Sequence, residues 1–379
     1  MSTTVTATDP AALRARLERA TAAAADAGVD ALLMAPGSDL RYLLGAGGSS
    51  FERLTCLVVP ATGAPPVLVV PKLEAPGYAA VPTDDLGVEL ATWVDGEDPY
   101  ALVASRVGRA GRVALGDVMS ALHVLGLRGA MPDAEQTLAG PIVRELRMRK
   151  DAEEIAGLRA AGAAIDRVHA RMAEWLRAGR TEAEVAADIA AAIVEEGHTV
   201  AEFVIVGSGP NGASPHHRDS DRVIEPGDVV VIDIGGPVES GYNSDSTRTY
   251  AIGEPRDADV LETYAVLQAG QQAAVDAVRP GIAAQDVDAA ARTVISDAGF
   301  GEYFIHRTGH GIGLDVHEEP YIVGGNDLPL EAGMAFSVEP GIYLPDRWGA
   351  RIEDIVVVTD TGVERLNNRP HDLIVLPVR

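Results

Sequence analysis

The segment Val229-Val-Val-Ile-Asp-Ile-Gly-Gly-Pro-Val-Glu-Ser-Gly-Tyr-Asn-Ser-Asp-Ser-Thr-Arg-Thr-Tyr250 contains two aspartates twelve residues apart. Asp233 follows an apolar run that predicts a β-strand, and the turn-rich stretch 235–241 separates it from Asp245. A hairpin through this stretch would bring the two side chains together. Neighbouring carboxylates repel each other unless a cation lies between them. The pattern therefore favours a metal site, although each aspartate alone could equally end a strand or cap a turn.

Three more potential metal ligands lie further along the chain. His310 is flanked by two glycines, Glu339 stands between an apolar run and a Pro-Gly pair, and Glu353 lies in the apolar stretch 352–358. A glutamate is costly to bury without a partner, so Glu353 is expected to face either solvent or a metal ion. Four carboxylates and one imidazole are a set of mostly hard ligands, which suits two divalent ions such as Mn²⁺, Co²⁺ or Zn²⁺.

Histidines and an arginine accompany these ligands. His306 and His317 lie close to His310 in sequence, which suggests one metal ligand and separate hydrogen-bond donors to a developing oxyanion. His216 lies in a loop rich in glycine and serine, and loop histidines often carry function. Arg351 precedes the last potential ligand by two residues, so the two side chains would share one face of a strand. That arrangement would place a cation where a substrate carboxylate could bind.

The composition excludes several classes of protein. At 379 residues the chain is long enough for two domains with ordinary globular composition. Its formal net charge of −25 argues against nucleic acid or an anionic membrane as a partner. The single cysteine, Cys56, excludes an intrachain disulfide and lies in an apolar run typical of a buried strand. Because the chain shows neither a signal-peptide pattern nor an apolar stretch of membrane-spanning length, we expect a cytoplasmic protein.

The order of predicted helices and strands divides the chain after residue 142. Residues 1–142 begin with a helix from Pro10 to about residue 28 and then alternate strands and helices, which predicts an α/β domain. Residues 143–379 open with a helix predicted to end near residue 178, and the strands that follow do not alternate simply with helices. This second domain is therefore predicted to be α+β. Its predicted strands are 202–206, 228–234, 247–252, 334–338 and 352–358, and its other predicted helices are 181–197, 257–278 and 283–298.

Five motifs in this order resemble those of the pita-bread metallopeptidases, specifically the proline-peptidase branch. That branch comprises Xaa-Pro dipeptidase (prolidase) and Xaa-Pro aminopeptidase (aminopeptidase P). The resemblance implies an α+β fold, with a C-terminal pita-bread (creatinase/aminopeptidase) catalytic domain and a smaller N-terminal α/β creatinase-like domain. The two aspartates are one residue further apart than is usual in the family, and we expect the hairpin loop to absorb this residue. The motifs are Val231–Gly235, Gly241–Thr249, His306–His317, Ser337–Tyr343 and Arg351–Asp354.

The resemblance implies two divalent metal ions, with manganese the first expectation and cobalt or zinc the alternatives. Asp233 would chelate one ion, and His310 and Glu339 would hold the other. Asp245 and Glu353 would bridge the two, and a hydroxide between the ions would attack the scissile carbonyl.

The resemblance also implies roles beyond metal binding. Glu339 would act as proton shuttle, while His216 and His317 would support the tetrahedral intermediate. The register of the histidine pair at 216–217 could slip by one, and His216 is our candidate. The residues assigned to the substrate are His306 in the proline pocket, Tyr343 near the metals, and Arg351, which would bind the substrate or orient Glu353.

Several alternatives remain open on the sequence alone. A dipeptidase must close the site beyond proline and bind its carboxylate, whereas an aminopeptidase must leave that side open; the compact chain favours the dipeptidase. A creatinase-like amidinohydrolase lacks the metal ligands, and methionine aminopeptidase normally lacks so large an N-terminal domain. A binding module without activity would be expected to have lost ligands. We therefore expect an enzyme that acts on proline-containing peptides as a homodimer, with no nucleic-acid or membrane partner.

Overall fold

The computed structural model describes residues 4–5, 8–48, 52–218 and 220–378. The chain divides into two compact units, one extending to Arg147 and the other beginning at Met148. The domain limit predicted after residue 142 falls inside a helix, Gly140–Met148, and stays a prediction. None of the helices in these ranges is long and apolar enough to cross a membrane.

The N-terminal unit is built on a six-stranded mixed sheet. Its helices are α1 (Pro10–Asp26), α2 (Ser38–Leu44), α3 (Thr83–Leu86), α4 (Pro99–Val107), α5 (Ala121–Ala130) and α6 (Gly140–Met148). Its strands are β1 (Thr4–Val5), β2 (Ala31–Met34), β3 (Ala46–Gly47), β4 (Cys56–Pro60), β5 (Val67–Pro71), β6 (Glu89–Trp93), β7 (Arg112–Leu115) and β8 (Glu135–Leu138). The sheet order is β6-β5-β4-β2-β7-β8, and β1 pairs separately with β3.

Two features of the N-terminal unit agree with short-range patterns in the sequence. The Asp9 side chain accepts a hydrogen bond from the Ala11 N–H and Pro10 opens α1, as the sequence predicts. Cys56 lies in β4 with no exposed surface, and burial raises the pKa of its thiol to about 12. It is therefore a core thiol, as predicted.

The C-terminal unit combines a four-stranded and a five-stranded sheet with long helices, which confirms the predicted α+β class. Its helices are α7 (Ala152–Ala170), α8 (Glu182–Glu195), α9 (Val260–Ala277) and α10 (Ala284–Asp297). Its strands are β9 (Phe203–Ser208), β10 (Val229–Pro237), β11 (Asn243–Ile252), β12 (Gly309–Gly311), β13 (Glu318–Ile322), β14 (Ala335–Val338), β15 (Gly341–Leu344), β16 (Trp348–Arg351), β17 (Asp354–Val358), β18 (Val363–Arg365) and β19 (Ile374–Leu376). The sheet orders are β19-β11-β10-β9, β13-β12-β14-β17-β18 and β15-β16.

The helix predicted to end near residue 178 is shorter, because α7 ends at Ala170. It begins with a capping box in which Asp151 and Glu154 each accept a hydrogen bond from the other's backbone N–H. After Ala170 the chain makes a short 3₁₀ turn, and Met172 and Leu176 enter a buried apolar cluster. The chain therefore stays packed on this cluster beyond the end of α7, although it is no longer α-helical.

The hairpin predicted from the two-aspartate segment is present as β10 and β11. The two strands are antiparallel, and their register runs without interruption along the whole of β10. The turn that connects them is 238–242, and the position of the residue that lengthens the spacing stays a prediction. Asp233 lies opposite Thr247 and Asp245 lies opposite Gly235, so the two carboxylates are diagonal neighbours on one face of the hairpin.

The five-stranded sheet presents the other predicted ligands. His310 is the central residue of β12, Glu339 follows the end of β14, and Glu353 immediately precedes β17. Gly309 packs so tightly against β14 that a Cβ atom there would lie 1.8 Å from the carbonyl oxygen of Ser337. Glycine is therefore needed at this position for β12 to approach β14 and place the imidazole.

Candidate active site

A cavity of about 910 Å³ lies in the C-terminal unit and gathers most of the predicted site residues. All five predicted metal ligands line it, together with the predicted histidines and an arginine. Tyr343 does not line the cavity; it is buried behind the lining and contacts it through hydrogen bonds. The predicted residues in the lining are Asp233, Asp245, His310, Glu339, Glu353, His216, His306, His317 and Arg351.

The predicted ligands form two overlapping groups. Ligand atoms of His310, Glu339 and Glu353 lie within 4.8 Å of one another. Ligand atoms of Asp233, Asp245 and Glu353 lie within the same distance of one another. Because Glu353 belongs to both groups, the arrangement is compatible with two neighbouring ions that share this carboxylate.

Two buried carboxylate oxygens in these groups lack a hydrogen-bond donor among the described residues: Oδ1 of Asp233 and Oε1 of Glu353. The other oxygen of Asp233 accepts from Arg351 at 2.6 Å, and the other oxygen of Glu353 accepts from the Thr247 hydroxyl at 2.7 Å. Leaving a buried oxygen unsatisfied is costly, and a divalent cation would supply the missing partner. The residues present therefore fit divalent metal ions.

The charge in the cavity is also unbalanced, because five carboxylates but only two guanidinium groups line it among the described residues. Burial, followed by repulsion from neighbouring carboxylates, raises the pKa values of Asp245 and Glu353 well above the ordinary range. Burial opposes charge on His310 as well, but its contact with Glu339 raises the pKa of the imidazole overall. The site thus lacks positive charge, which divalent ions would supply.

The imidazole of His310 is oriented by hydrogen bonds from both sides. Its Nδ1 lies 3.1 Å from the carbonyl oxygen of Gly311, so Nδ1–H donates and Nε2 faces Glu339 at 3.2 Å and Asp245 at 3.6 Å. The Ser337 hydroxyl accepts from the His310 N–H at 3.1 Å and donates to Glu339 at 3.0 Å. Ser337 therefore links two potential ligands. Sequence analysis missed it because it lies inside a short apolar strand.

Arg351 and Glu353 do not share a continuous strand, so that part of the prediction is wrong. Their side chains nevertheless meet at the Thr247 hydroxyl, which accepts from Arg351 at 3.0 Å and donates to Glu353 at 2.7 Å. β16 ends at Arg351, β17 begins at Asp354, and the residues between them belong to neither strand. The buried guanidinium also forms a salt bridge with Asp233 at 2.6 Å. The pairing joins residues that are far apart in the chain, so no local pattern could indicate it.

Hydrogen bonds connect Arg351 to the far side of the cavity. Arg351 donates to the Tyr343 hydroxyl at 2.8 Å, and this hydroxyl lies 2.8 Å from Nε2 of His306. Nδ1 of His306 lies 2.7 Å from the carbonyl oxygen of Arg307. Because a carbonyl only accepts, Nδ1 carries the proton, and Nε2 accepts from the tyrosine. Burial lowers the pKa of His306, which agrees with a neutral ring in this chain of hydrogen bonds.

The adjacent histidines 216 and 217 have different surroundings. His216 lines the cavity, whereas Nε2 of His217 lies 2.7 Å from a carboxylate oxygen of Glu182. The Glu182 side chain is 0% exposed and also accepts hydrogen bonds from two serine hydroxyls. The predicted capping box of α8 is present at 181–184. Nothing local, however, indicates that Glu182, between the capping residues, turns inward to the His216 loop.

His317 packs against His310, with ring centroids 4.1 Å apart and the rings tilted by 75°. Burial, then the neighbouring charge of His310, lowers the pKa of His317 to about 4. The ring is therefore neutral near pH 7 and offers one donor and one acceptor. Its ligand atom also lies within 4.8 Å of those of Asp245 and His310, which places it at the edge of the potential metal site.

The sequence analysis did not identify the other lining residues. Most are apolar, and the charged ones lie in no motif that indicates a site. Arg307 is the one additional cation, and its guanidinium carbon lies 4.3 Å from the centroid of the Tyr321 ring. The apolar side chains among these residues make part of the cavity wall suitable for an uncharged ring. The residues missed are Glu202, Phe203, Ile205, Ser214, Pro215, Ile305, Arg307 and Val316.

Comparisons with known proteins were made with the sequence and with the fold. A model described as "Metallopeptidase family M24" matches residues 156–360, and one described as "Creatinase/Prolidase N-terminal domain" matches residues 16–149. The probable dipeptidase PepE of Mycobacterium tuberculosis is 59% identical over 364 residues, which cover 96% of each chain. The Xaa-Pro dipeptidase of Lactobacillus helveticus is 38% identical over 348 residues, covering 90% of this chain and 93% of that protein.

Solved structures give the same result. The crystal structure of dipeptidase PepE from Mycobacterium ulcerans superposes with a TM-score of 0.93 at 59% identity, covering 98% of this chain and 100% of the other. These matches confirm the predicted pita-bread catalytic domain and creatinase-like N-terminal domain. The chain therefore belongs to metallopeptidase family M24, a family of metal-dependent peptidases, and within it to the proline-peptidase branch.

Proposed function

We propose that this protein is a prolidase, a dinuclear-metal peptidase that hydrolyses the Xaa-Pro bond of dipeptides. The observation that carries the proposal is Glu353, which belongs to both ligand groups and has a buried oxygen with no donor among the described residues. A carboxylate in this setting suits a bridge between two divalent ions. The similarity to a protein named Xaa-Pro dipeptidase supports the choice of bond.

The two ions would be manganese in the first instance, with cobalt or zinc as alternatives. Asp233 would chelate one ion, and His310 and Glu339 would hold the other. Asp245 and Glu353 would bridge the pair. When bound, the ions would polarise the scissile carbonyl and lower the pKa of a water molecule.

Protein side chains would handle the proton and the developing negative charge. Glu339 is held by the Ser337 hydroxyl at 3.0 Å and faces His310 at 3.2 Å, so it is fixed in place to carry a proton to the leaving nitrogen. His216 and His317 line the same cavity and would donate hydrogen bonds to the oxyanion of the tetrahedral intermediate.

Recognition of proline would rest on the ring rather than on a backbone donor, because the imide nitrogen has no N–H. His306, whose pKa is lowered by burial, would line the proline pocket together with Phe203 and Ile305. Tyr343 would hold the His306 ring. Arg351 would orient the neighbouring aspartate through its salt bridge, and would act on the substrate only through these contacts.

The direct test is hydrolysis by Mn²⁺-loaded protein of an Xaa-Pro dipeptide and of the same dipeptide extended by one or two residues. Cleavage of the dipeptide alone is expected. Cleavage of the longer peptides would identify an aminopeptidase P instead. An Xaa-Ala dipeptide tests whether proline is required, and metal-free protein tests whether the ions are required. Absence of cleavage of every proline substrate, with metal shown to be bound, would overturn the proposal.

Substitutions distinguish the metal ligands from residues with other roles. Asp245→Ala or Glu353→Ala should abolish turnover and lower the metal content. His216→Ala should lower turnover while the metal content stays near that of the parent. Normal turnover in either ligand variant would refute the dinuclear site, and loss of metal in the His216 variant would make that residue a ligand.

We also propose that the enzyme is a cytoplasmic homodimer. The support is the resemblance to the proline peptidases together with the sequence composition. Sedimentation equilibrium should give twice the mass of one chain; a monomer mass that does not change with concentration would refute the dimer.

A further inference from the structure

The segment 304–308 brings His306 to the cavity although most of it is irregular. It lies between the 3₁₀ turn that follows α10 and the start of β12. Three of its residues, Ile305, His306 and Arg307, line the cavity. Backbone groups outside a helix or a sheet need other hydrogen-bond partners when they are buried. The position of His306 therefore depends on what holds this segment.

Arg292 holds the backbone of this segment from behind the cavity. It lies in α10 and is half-buried, outside the residues that line the cavity. Its guanidinium donates to the carbonyl oxygen of Phe304 at 3.0 Å and to that of His306 at 2.8 Å. One rigid planar group thus fixes the chain on both sides of Ile305.

The Arg292 guanidinium is itself held by Asp288, one turn earlier in α10. Asp288 is 2% exposed and accepts two hydrogen bonds from the guanidinium, each 2.9 Å long. The same carboxylate accepts from the N–H and the hydroxyl of Thr308, at 3.0 and 2.8 Å. The Asp288–Arg292 pair therefore holds residues 304, 306 and 308 from a single helix.

Two ring contacts extend this constraint to the His306 side chain. The central guanidinium carbon of Arg292 lies 4.2 Å from the centroid of the Phe304 ring, a distance typical of a cation–π contact. The Phe304 ring meets the His306 ring edge to face, with centroids 5.3 Å apart and planes at 87°. Because Phe304 is 2% exposed, its ring is confined by the core. Both the backbone and the ring of His306 therefore depend on Arg292.

We propose that Arg292 is a positioning residue that sets the shape of the proline pocket. This inference rests on the proposed prolidase function, in which His306 lines that pocket. The hydrogen bonds of the guanidinium go to α10 and to the segment 304–308, so it acts on the substrate through His306. Contacts with the proline ring are made both in the bound substrate and in the transition state. A displaced pocket therefore raises KM and leaves kcat nearly unchanged.

The variant Arg292→Lys tests this role because it separates charge from geometry. An ammonium group keeps a positive charge beside Asp288, but it cannot reproduce the planar fork that reaches one carboxylate and two carbonyls at once. The protein should therefore fold with a Tm near that of the parent. For Mn²⁺-loaded protein and an Xaa-Pro dipeptide, KM should rise roughly 3- to 10-fold while kcat stays within about twofold. Arg292→Met, which also removes the charge, should raise KM at least as much.

Arg167→Lys is the matched control. Arg167 likewise donates to one carboxylate and two backbone carbonyls, those of Glu196 and Ala163, but it lies outside the residues that line the cavity. Its substitution should leave KM and kcat unchanged. The metal content should match that of the parent in all these variants, because none of them removes a potential ligand.

A binding measurement gives a readout that does not depend on turnover. In calorimetric titration of Mn²⁺-loaded protein with L-proline, the Kd of Arg292→Lys should rise by about the same factor as KM. If Arg292 served only stability, kcat would fall more than KM rises and L-proline would bind as it does to the parent. That result, or a KM equal to that of Arg167→Lys, would overturn the inference and leave the proposed function standing. A parent that binds metal but does not cleave the dipeptide would overturn both.

Discussion

A buried glutamate outside the cavity is predicted to control the catalytic loop. Glu182 is 0% exposed and accepts hydrogen bonds from the backbone N–H and the hydroxyl of Ser208, at 2.7 and 2.6 Å, and from the Ser220 hydroxyl at 2.6 Å. The Asn211 amide and His217 also donate to it, at 3.0 and 2.7 Å. These donors belong to the segment that carries His216 into the cavity.

The perturbation is Glu182→Gln, which keeps the size of the side chain but replaces one acceptor oxygen with an amino group. Burial alone would raise the pKa of Glu182, but hydrogen bonds from Ser208 and Ser220 lower it overall, so the native group is an anion. The amide must turn a donor toward other donors. Disrupting a buried charged network of this kind costs about 3–5 kcal/mol. For a unit of this size that corresponds to a fall in Tm of about 6–20 °C.

Thermal unfolding, turnover and metal content should be measured together. Because His217 is one end of this network, its neighbour His216 should shift, and a displacement near 1 Å lowers kcat on the order of 100-fold. Metal content should stay unchanged, since Glu182 belongs to neither ligand group. The matched control is Glu153→Gln, at an exposed glutamate of α7. A Glu182→Gln protein whose Tm and kcat match those of Glu153→Gln would refute the reasoning.

Three other predictions follow from buried groups. Burial lowers the pKa of His169 to about 3. Below about pH 6.5 the unfolded chain therefore binds a proton that the folded chain does not. As the pH falls, the free energy of unfolding should decrease by up to about 1.4 kcal/mol per pH unit. His169→Gln should flatten the dependence of Tm on pH between about 8 and 5, and an unchanged slope would contradict this. Gly309→Ala should push β12 away from β14 and lower the metal content of the protein. Gly129→Ala is the control, because a Cβ atom there meets nothing within 4 Å. Equal metal content in the two variants would refute the prediction. Cys56 should resist thiol reagents until the protein unfolds, because burial raises its pKa to about 12, and rapid labelling of native protein would contradict that.

The features that the sequence predicted are those with local causes. The hairpin around Asp233 and Asp245 follows from an apolar run joined to turn residues, and the start of α8 follows from its capping box. Four of the five potential ligands were identified because each follows or interrupts an apolar or glycine-rich pattern with a charge or an imidazole, and Asp245 was identified by its spacing from Asp233 across a turn-rich segment. Such interruptions are visible without any knowledge of distant contacts.

The features that the sequence did not predict depend on contacts between distant segments. Arg351 was placed on one strand with Glu353, but a break separates them, and its salt-bridge partner is Asp233, 118 residues away. Glu182 contacts residues 26 to 38 positions further along the chain. α7 ends at Ala170, and Met172 beyond it is buried in a cluster assembled from several elements. Periodicity and capping carry no information about such partners, so these features required the structure.

The central claim, a peptidase with two metal ions, is tested most directly by titrating metal-free protein with Mn²⁺. Bound ions and turnover of an Xaa-Pro dipeptide should be measured in the same samples. We predict no turnover without metal, two ions bound per chain at saturation, and reduced binding in Glu353→Ala, whose carboxylate belongs to both ligand groups. Full turnover with no divalent ion bound, or a Glu353→Ala protein that binds metal and turns over like the parent, would contradict the account.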